Sequence, residues 1–119
     1  MNPAFSVDRQ DGGNGVVVLT VAGDVDQLTE NALTTVIGNA LAERRLTELI
    51  VDLEHVTFLG SCGIRALLAG HEHAFARGAT LRVRNPTGMT RRVLEITNMI
   101  HVLNVTPERE TGRPVGSPA

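Results

Sequence analysis

A serine and a cysteine stand together between glycines, Gly60-Ser61-Cys62-Gly63, after an apolar strand-like run and before a helical pattern. A hydroxyl at the start of a helix can cap it by accepting a backbone N–H. It can also accept a phosphate, which would meet the unpaired N–H groups and the positive end of the helix dipole. The flanking glycines let a second chain come close to the backbone. Cys62 at the same helix end offers either a reactive thiol or a small, half-buried stand-in for serine. His71 and His73 follow on the same helix, but His71 lies ~13 Å from Cys62 along the axis, too far for a Cys/His pair. It reads instead as a partly buried core or interface residue. His55 and His101 stand alone, without the spacing of metal ligands. Asp24 and Asp26 flank a turn near another helix start, where capping is the ordinary role of a carboxylate. Arg82, Arg84, Arg91 and Arg92 form the densest basic group, ordinarily a solvated face. The glycines around Ser61 do not make a phosphate-binding loop, because no Gly-x-x-x-x-Gly-Lys-Ser/Thr and indeed no lysine is present.

The elements that must position these groups fit one domain, since 119 residues supply one core. Hydrophobic residues at 42% and charged residues at 20% are those of a globular chain. Aromatics reach only 3%, as Phe5, Phe58 and Phe75, which argues against stacking platforms for single-stranded nucleic acid or sugars. A net charge of −2 argues against non-specific DNA binding. With Cys62 as its only cysteine the chain can form no internal disulfide or multi-cysteine zinc site, and it suits a reducing, cytoplasmic setting. Its start lacks the pattern of a signal peptide. Its longest apolar run, Val16 to Leu19, is far short of the ~20 residues of a membrane helix.

Alternation predicts a strand at Phe5–Arg9, a turn at Asp11–Gly15 and an interior strand at Val16–Val21, together a hairpin. A helix is expected from Gln27 to Arg45, capped by Asp26, with Leu28, Leu33, Val36, Ile37, Ala40 and Leu41 on one face. Leu49–Leu53 reads as a third strand, Glu54–Gly60 as a loop in which Phe58 anchors the serine, and Ser61–Phe75 as a second helix. That helix should bury Ile64, Leu67, Leu68, His71 and Phe75, with Gly78 just past its end. A fourth strand at Ala79–Arg84, a break at Asn85-Pro86 and a third helix at Thr87–Met99 follow, the helix with Met89, Val93, Ile96 and Ile100 in phase. A short last strand is expected at His101–Val105. From Thr106 prolines gather and large apolar residues vanish, as in a flexible tail. Strands alternating with helices should be parallel, with right-handed crossovers.

The segment Leu49–Leu68, LIVDLEHVTFLGSCGIRALL, resembles the core of the STAS domain, where bacterial anti-sigma factor antagonists carry Phe, an apolar residue, Asp, Ser, Ser/Thr, Gly and Leu. Gly23-Asp24-Val25-Asp26 resembles that family's Gly-Glu-apolar-Asp before the first helix. Asn85-Pro86 with Arg91–Thr97 resembles the approach to its last helix. The likeness runs from about Phe5 to Val105. Two positions depart from the pattern: the Asp before the serine is Gly60, and the second hydroxyl is Cys62.

The resemblance implies an α/β fold, a single STAS-type domain over 1–105 with a tail over 106–119. Its mixed, mostly parallel sheet of four to five strands would carry helices in the order ββαβαβα(β). It implies a non-enzymatic antagonist, without cofactor or metal, that binds a kinase-type anti-sigma factor and releases a sigma factor. The anti-sigma factor, a serine-protein kinase, would phosphorylate Ser61, and a phosphatase would reset it. The expected interface is Asp24, Asp26, Gly60, Ser61, Cys62, Gly63, Ile64 and Arg65, with no direct nucleic-acid contact and no membrane insertion. Two alternatives stand beside it. One is a STAS accessory subunit of a lipid-transport ATPase complex or stress-sensing assembly. The other is a redox sensor built on Cys62.

Overall fold

A computed structural model describes residues 4–105. Strands β1 (Ser6–Gly13) and β2 (Val16–Val25) form the expected antiparallel hairpin, Ser6 opposite Ala22 and Asp11 opposite Val17. The turn closes on Asn14 and Gly15, both at positive φ, and a side chain on Gly15 would stand 2.6 Å from the Arg45 carbonyl. Helix α1 (Glu30–Leu41) returns the chain to β3 (Glu48–Leu59), and α2 (Ser61–Ala76) leads to β4 (Thr80–Arg84). Both later pairings, β2 with β3 and β3 with β4, are parallel, and the sheet order is β1-β2-β3-β4.

The strands alternate as one-sided sheet residues must. Val17, Leu19 and Val21, Leu49, Val51 and Leu53, and Leu81 and Val83 are buried in one core with Leu33, Ile37 and Leu41 of α1 and Leu67 of α2. Helix α2 approaches closely because its inward stripe is small: Gly63, Ala66, Gly70 and Ala74 are buried beside Leu67. This differs from the expected face, since Ile64, Leu68 and His71 are only partly covered and Phe75 is 78% exposed. A side chain on Gly70 would meet Ile37 Cγ2 at 2.9 Å and Leu81 Cδ1 at 3.0 Å, so a bulkier stripe would push α2 off both α1 and the sheet.

Three further expectations are corrected. Glu54–Leu59 is not a loop but the second half of β3, which goes on pairing with β2 as far as Val25 opposite Leu59. Beyond Asp52, where β4 ends, the free edge of β3 is covered by α3 (Gly88–Ile96), whose Thr90 hydroxyl reaches the Val56 carbonyl at 3.5 Å. Helix α3 buries Thr90 and Leu94, leaving Met89 and Ile96 exposed instead of inside. Finally, His101–Val105 is no strand. Asn98 in the left-handed region starts a short helix α4 (Met99–Val102), and the chain then crosses the β4 edge with two hydrogen bonds. The Val83 N–H donates to the Leu103 carbonyl and the Asn104 amide to the Leu81 carbonyl, which satisfies edge groups a strand would have used. The tail expected over 106–119 lies outside the described residues.

Candidate functional site

Parallel pairing brings the carboxyl ends of β2 and β3 side by side, Asp24 opposite Phe58 and Val25 opposite Leu59. The Gly60 N–H donates to the Val25 carbonyl at 3.0 Å and fastens the end of β3 to the end of β2. Gly60, extended at φ −84° and ψ 179°, is the N-cap of α2, and its carbonyl accepts the N–H groups of Gly63 and Ile64. Ser61 is therefore the first helical residue, not the cap, and its exposed side chain caps nothing. Among the described residues the N–H groups of Ser61 and Cys62 have no acceptor, and the first turn of α2 holds no carboxylate. The positive end of a 16-residue helix thus opens beside a free hydroxyl.

Gly63 lies buried beneath this turn. A side chain on it would stand 2.6 Å from Leu59 Cδ1 and 2.7 Å from Val25 Cγ1, so its part is to seat α2 on the strand ends. Ile64 is half-buried against the core, whereas Arg65 is exposed and turns its guanidinium to Cys62 Sγ, Nη2 donating at 3.5 Å. Cys62 is a free, half-buried thiol. Phe58, expected as an anchor, is 49% exposed, and its ring edge stands 3.1 Å from where a Cβ on Gly60 would be.

The expected carboxylates lie on the β2 side. Asp24 accepts the Thr57 hydroxyl of β3 at 2.6 Å. Asp26 accepts the N–H groups of Leu28 at 3.0 Å and Thr29 at 3.3 Å, so it caps the turn before α1, while Thr29 is the residue that directly precedes the helix. This extra turn moves Leu28 off the expected core face and leaves it 91% exposed. Sequence reasoning missed Leu28 as a surface residue of this edge; the turn-forming Asp26-Gln27 pair before it was the available signal.

The other groups weighed from sequence take no part here. Arg82 pairs with Glu48, Arg84 with the buried Asp52 and Arg91 with Glu95, so three of the four clustered arginines are already occupied. Asp52 also accepts the Asn85 amide and the Glu54 N–H, which compensates its burial. His71 lines a cleft with Phe75, Leu81 and Asn104 on the far half of α2. No cluster of three metal-ligating side chains occurs among the described residues, and no helix among them is long and apolar enough to cross a membrane.

Comparison with known proteins adds to this geometry. The anti-sigma-F factor antagonist RsfB of Mycobacterium tuberculosis is 44% identical over 59 residues, 50% of this chain and 48% of that protein. The match thus spans about half the length of the curated relatives. The crystal structure of an anti-sigma factor antagonist from Mycobacterium paratuberculosis superposes with a TM-score of 0.78 at 30% identity, covering 88% of this chain and 87% of that one. The Bacillus cell fate determinant SpoIIAA, in its phosphorylated form, shares the fold with a TM-score of 0.67 at 18% identity, over 87% of this chain and 93% of that one. The sequence pattern of the STAS domain matches residues 9–112, and with the 30% identical structure it assigns this chain to the STAS domain family.

Proposed function

We propose that this chain is an anti-sigma factor antagonist that docks on its anti-sigma factor through the carboxyl edge of β2 and β3, and that phosphorylation of Ser61 ends the contact. The antagonists of Mycobacterium tuberculosis and Mycobacterium paratuberculosis, similar over half and nearly all of this chain respectively, support the choice of partner. The observation that carries the site is the exposure of Ser61 as the first residue of α2, beside two N–H groups without acceptors among the described residues. A phosphate there adds about 1.5–2 negative charges, which the helix end can hold without any change of fold. A partner surface closed over the same spot must desolvate that charge, a cost above the ~1.4 kcal/mol that changes affinity tenfold. The switch is local and electrostatic. A kinase-type anti-sigma factor would supply the phosphate, a phosphatase would remove it, and the chain itself does no chemistry.

Calorimetric titration of the purified anti-sigma factor with wild type and Ser61→Asp tests the reading. The variant is expected to bind at least about tenfold more weakly with an unchanged fold; equal affinities refute the switch. Mass spectrometry after incubation with the anti-sigma factor and Mg-ATP is expected to find the phosphate on Ser61. Phosphate on another residue, with Ser61 clean, overturns the site.

A further inference from the structure

Large apolar side chains that stay exposed on a small domain cost solubility, and two of them stand at the edge that carries Ser61. Leu28 follows the end of β2 by three residues, and Phe58 is the last residue but one of β3. We propose that Leu28 and Phe58 are the apolar anchors by which this chain grips its anti-sigma factor, and that the surface they fit is an apolar pocket rimmed by basic side chains. The inference rests on the antagonist reading and names the chemistry of the same contact.

A single exposed leucine is ordinary; the presentation of this one is not. Four hydrogen bonds pin the turn that carries it. Asp26 Oδ1 accepts the N–H of Leu28 and of Thr29, the Asp26 N–H donates to Thr29 Oγ1 at 3.0 Å, and that hydroxyl donates to the Asp24 carbonyl at 2.9 Å. A side chain held out by a rigid turn loses little freedom when it is buried by a partner. Phe58 is fixed in a similar way. Its backbone pairs in register with Asp24, and its neighbour Thr57 donates to the Asp24 carboxylate, so the strand fixes where the ring leaves the chain.

The charges around the pair set the chemistry of the occupant. From Asp24 to Glu30 the chain carries three carboxylates, Asp24, Asp26 and Glu30, and no basic residue, while Arg65 on the α2 side turns its guanidinium to Cys62. A partner face complementary to that rim is basic, and its centre must be apolar to receive the leucine and the ring. An apolar surround also gives a phosphate on Ser61 its effect. The rim cations are already paired with rim carboxylates, and the added charge falls where water is excluded.

The test is calorimetric titration of the purified anti-sigma factor with the full chain and its variants Leu28→Ser, Phe58→Ser, Phe75→Ser and Ile96→Ser. The last two remove exposed apolar side chains elsewhere on the molecule, 78% and 71% exposed. Leu28→Ser and Phe58→Ser are each expected to weaken binding about tenfold or more, while the other two stay within about twofold of wild type. Leu28→Ser should melt like wild type, because its side chain covers nothing in the free chain. Asp24→Asn is expected to slow association and flatten its salt dependence. Leu28→Ser and Phe58→Ser binding like wild type, with Ser61→Asp still impaired, would overturn the anchors and leave the antagonist reading standing. Phe75→Ser as damaging as Leu28→Ser would also overturn them. If wild type does not bind the anti-sigma factor, the antagonist reading falls and the anchors with it.

Discussion

At the amino edge of the parallel strands the polar groups are knitted together. Arg9 clamps both oxygens of Glu43 and also reaches Asp11, Arg77 donates to the carbonyls of Glu43 and Arg44, and the N–H groups of Thr47 and Glu48 converge on the Gly15 carbonyl. At the carboxyl edge, in contrast, a serine, a leucine and a phenylalanine face outward, and two helix N–H groups have no acceptor among the described residues. Both edges are built from glycines, carboxylates and arginines, so composition does not separate them. What separates them is whether the groups are spent on one another. The amino edge spends them on closing connections between elements. The carboxyl edge uses Asp24 and Asp26 to hold Leu28 and the backbone of Phe58 in place, and it leaves the start of α2 open.

Two glycines turn this contrast into an experiment with large effects. Gly15→Ala puts a side chain 2.6 Å from the Arg45 carbonyl at a positive φ, and Gly63→Ala puts one 2.6 Å from Leu59 Cδ1. Each is expected to destabilise the fold by about 1–3 kcal/mol, seen as a lower urea midpoint. Only Gly63→Ala should weaken partner binding per folded molecule, because it lifts the first turn of α2 and Ser61 with it. Gly15→Ala should bind as wild type once the unfolded fraction is subtracted. Equal loss of binding in both would show that the two edges are not independent.

A smaller effect is expected from Gly60→Asp, which restores the acid that STAS antagonists carry before their serine. The new side chain meets Phe58 Cε2 at 3.1 Å, and a ring already half in solvent can give way. An N-cap Asp in place of Gly gains a few tenths of a kcal/mol, so the melting temperature should hold or rise slightly. The rate of Ser61 phosphorylation, followed by mass spectrometry, is expected to rise. An unchanged rate would mean that the open edge presents its hydroxyl without help from a neighbouring carboxylate.

How much of this was legible in the sequence depends on what kind of signal each element left. The hairpin, the parallel order and the placement of Ser61 at a helix start followed from period-2 and period-3.6 patterns and from glycines, and they hold. The buried stripe of α2 was misread because its small residues carry little hydrophobic weight. Attention to large side chains picked the neighbouring stripe, which ends in the exposed Phe75. On α3 the apolar period was real, but the buried face centres on Thr90 and Leu94, since a period names residues that share a face and not what covers them. The second half of β3 looked like a loop because Glu54, His55 and Thr57 point to solvent, and only its pairing with β2 reveals it. Of the expected site, the local string around Ser61 was readable. Leu28 and Phe58 reached that edge only through tertiary pairing and a turn that starts α1 late.

The smallest expected effect lies at the closed edge and depends on pH. The hydrogen bond from Arg9 holds the Glu43 carboxyl below its ordinary 4.5, and the same contact raises the guanidinium further above its already high value. A carboxylate whose pKa is depressed by folding contributes stability above its unfolded pKa and loses it as the pH falls through the folded one. The Arg9 clamp is therefore fully formed above pH 4.5 and released in more acidic solution. Both side chains are exposed to water, so the effect on stability is small and fades with added salt. A carbon-13 titration should place the Glu43 midpoint below 4.5 in wild type and return it to the ordinary carboxylate range in Arg9→Gln. Arg9→Gln should leave binding at the carboxyl edge untouched, since no element of that edge leans on Glu43. A Glu43 midpoint that ignores the substitution would remove the clamp from the account of the closed edge, and the contrast would then rest on Gly15 and Arg77 alone.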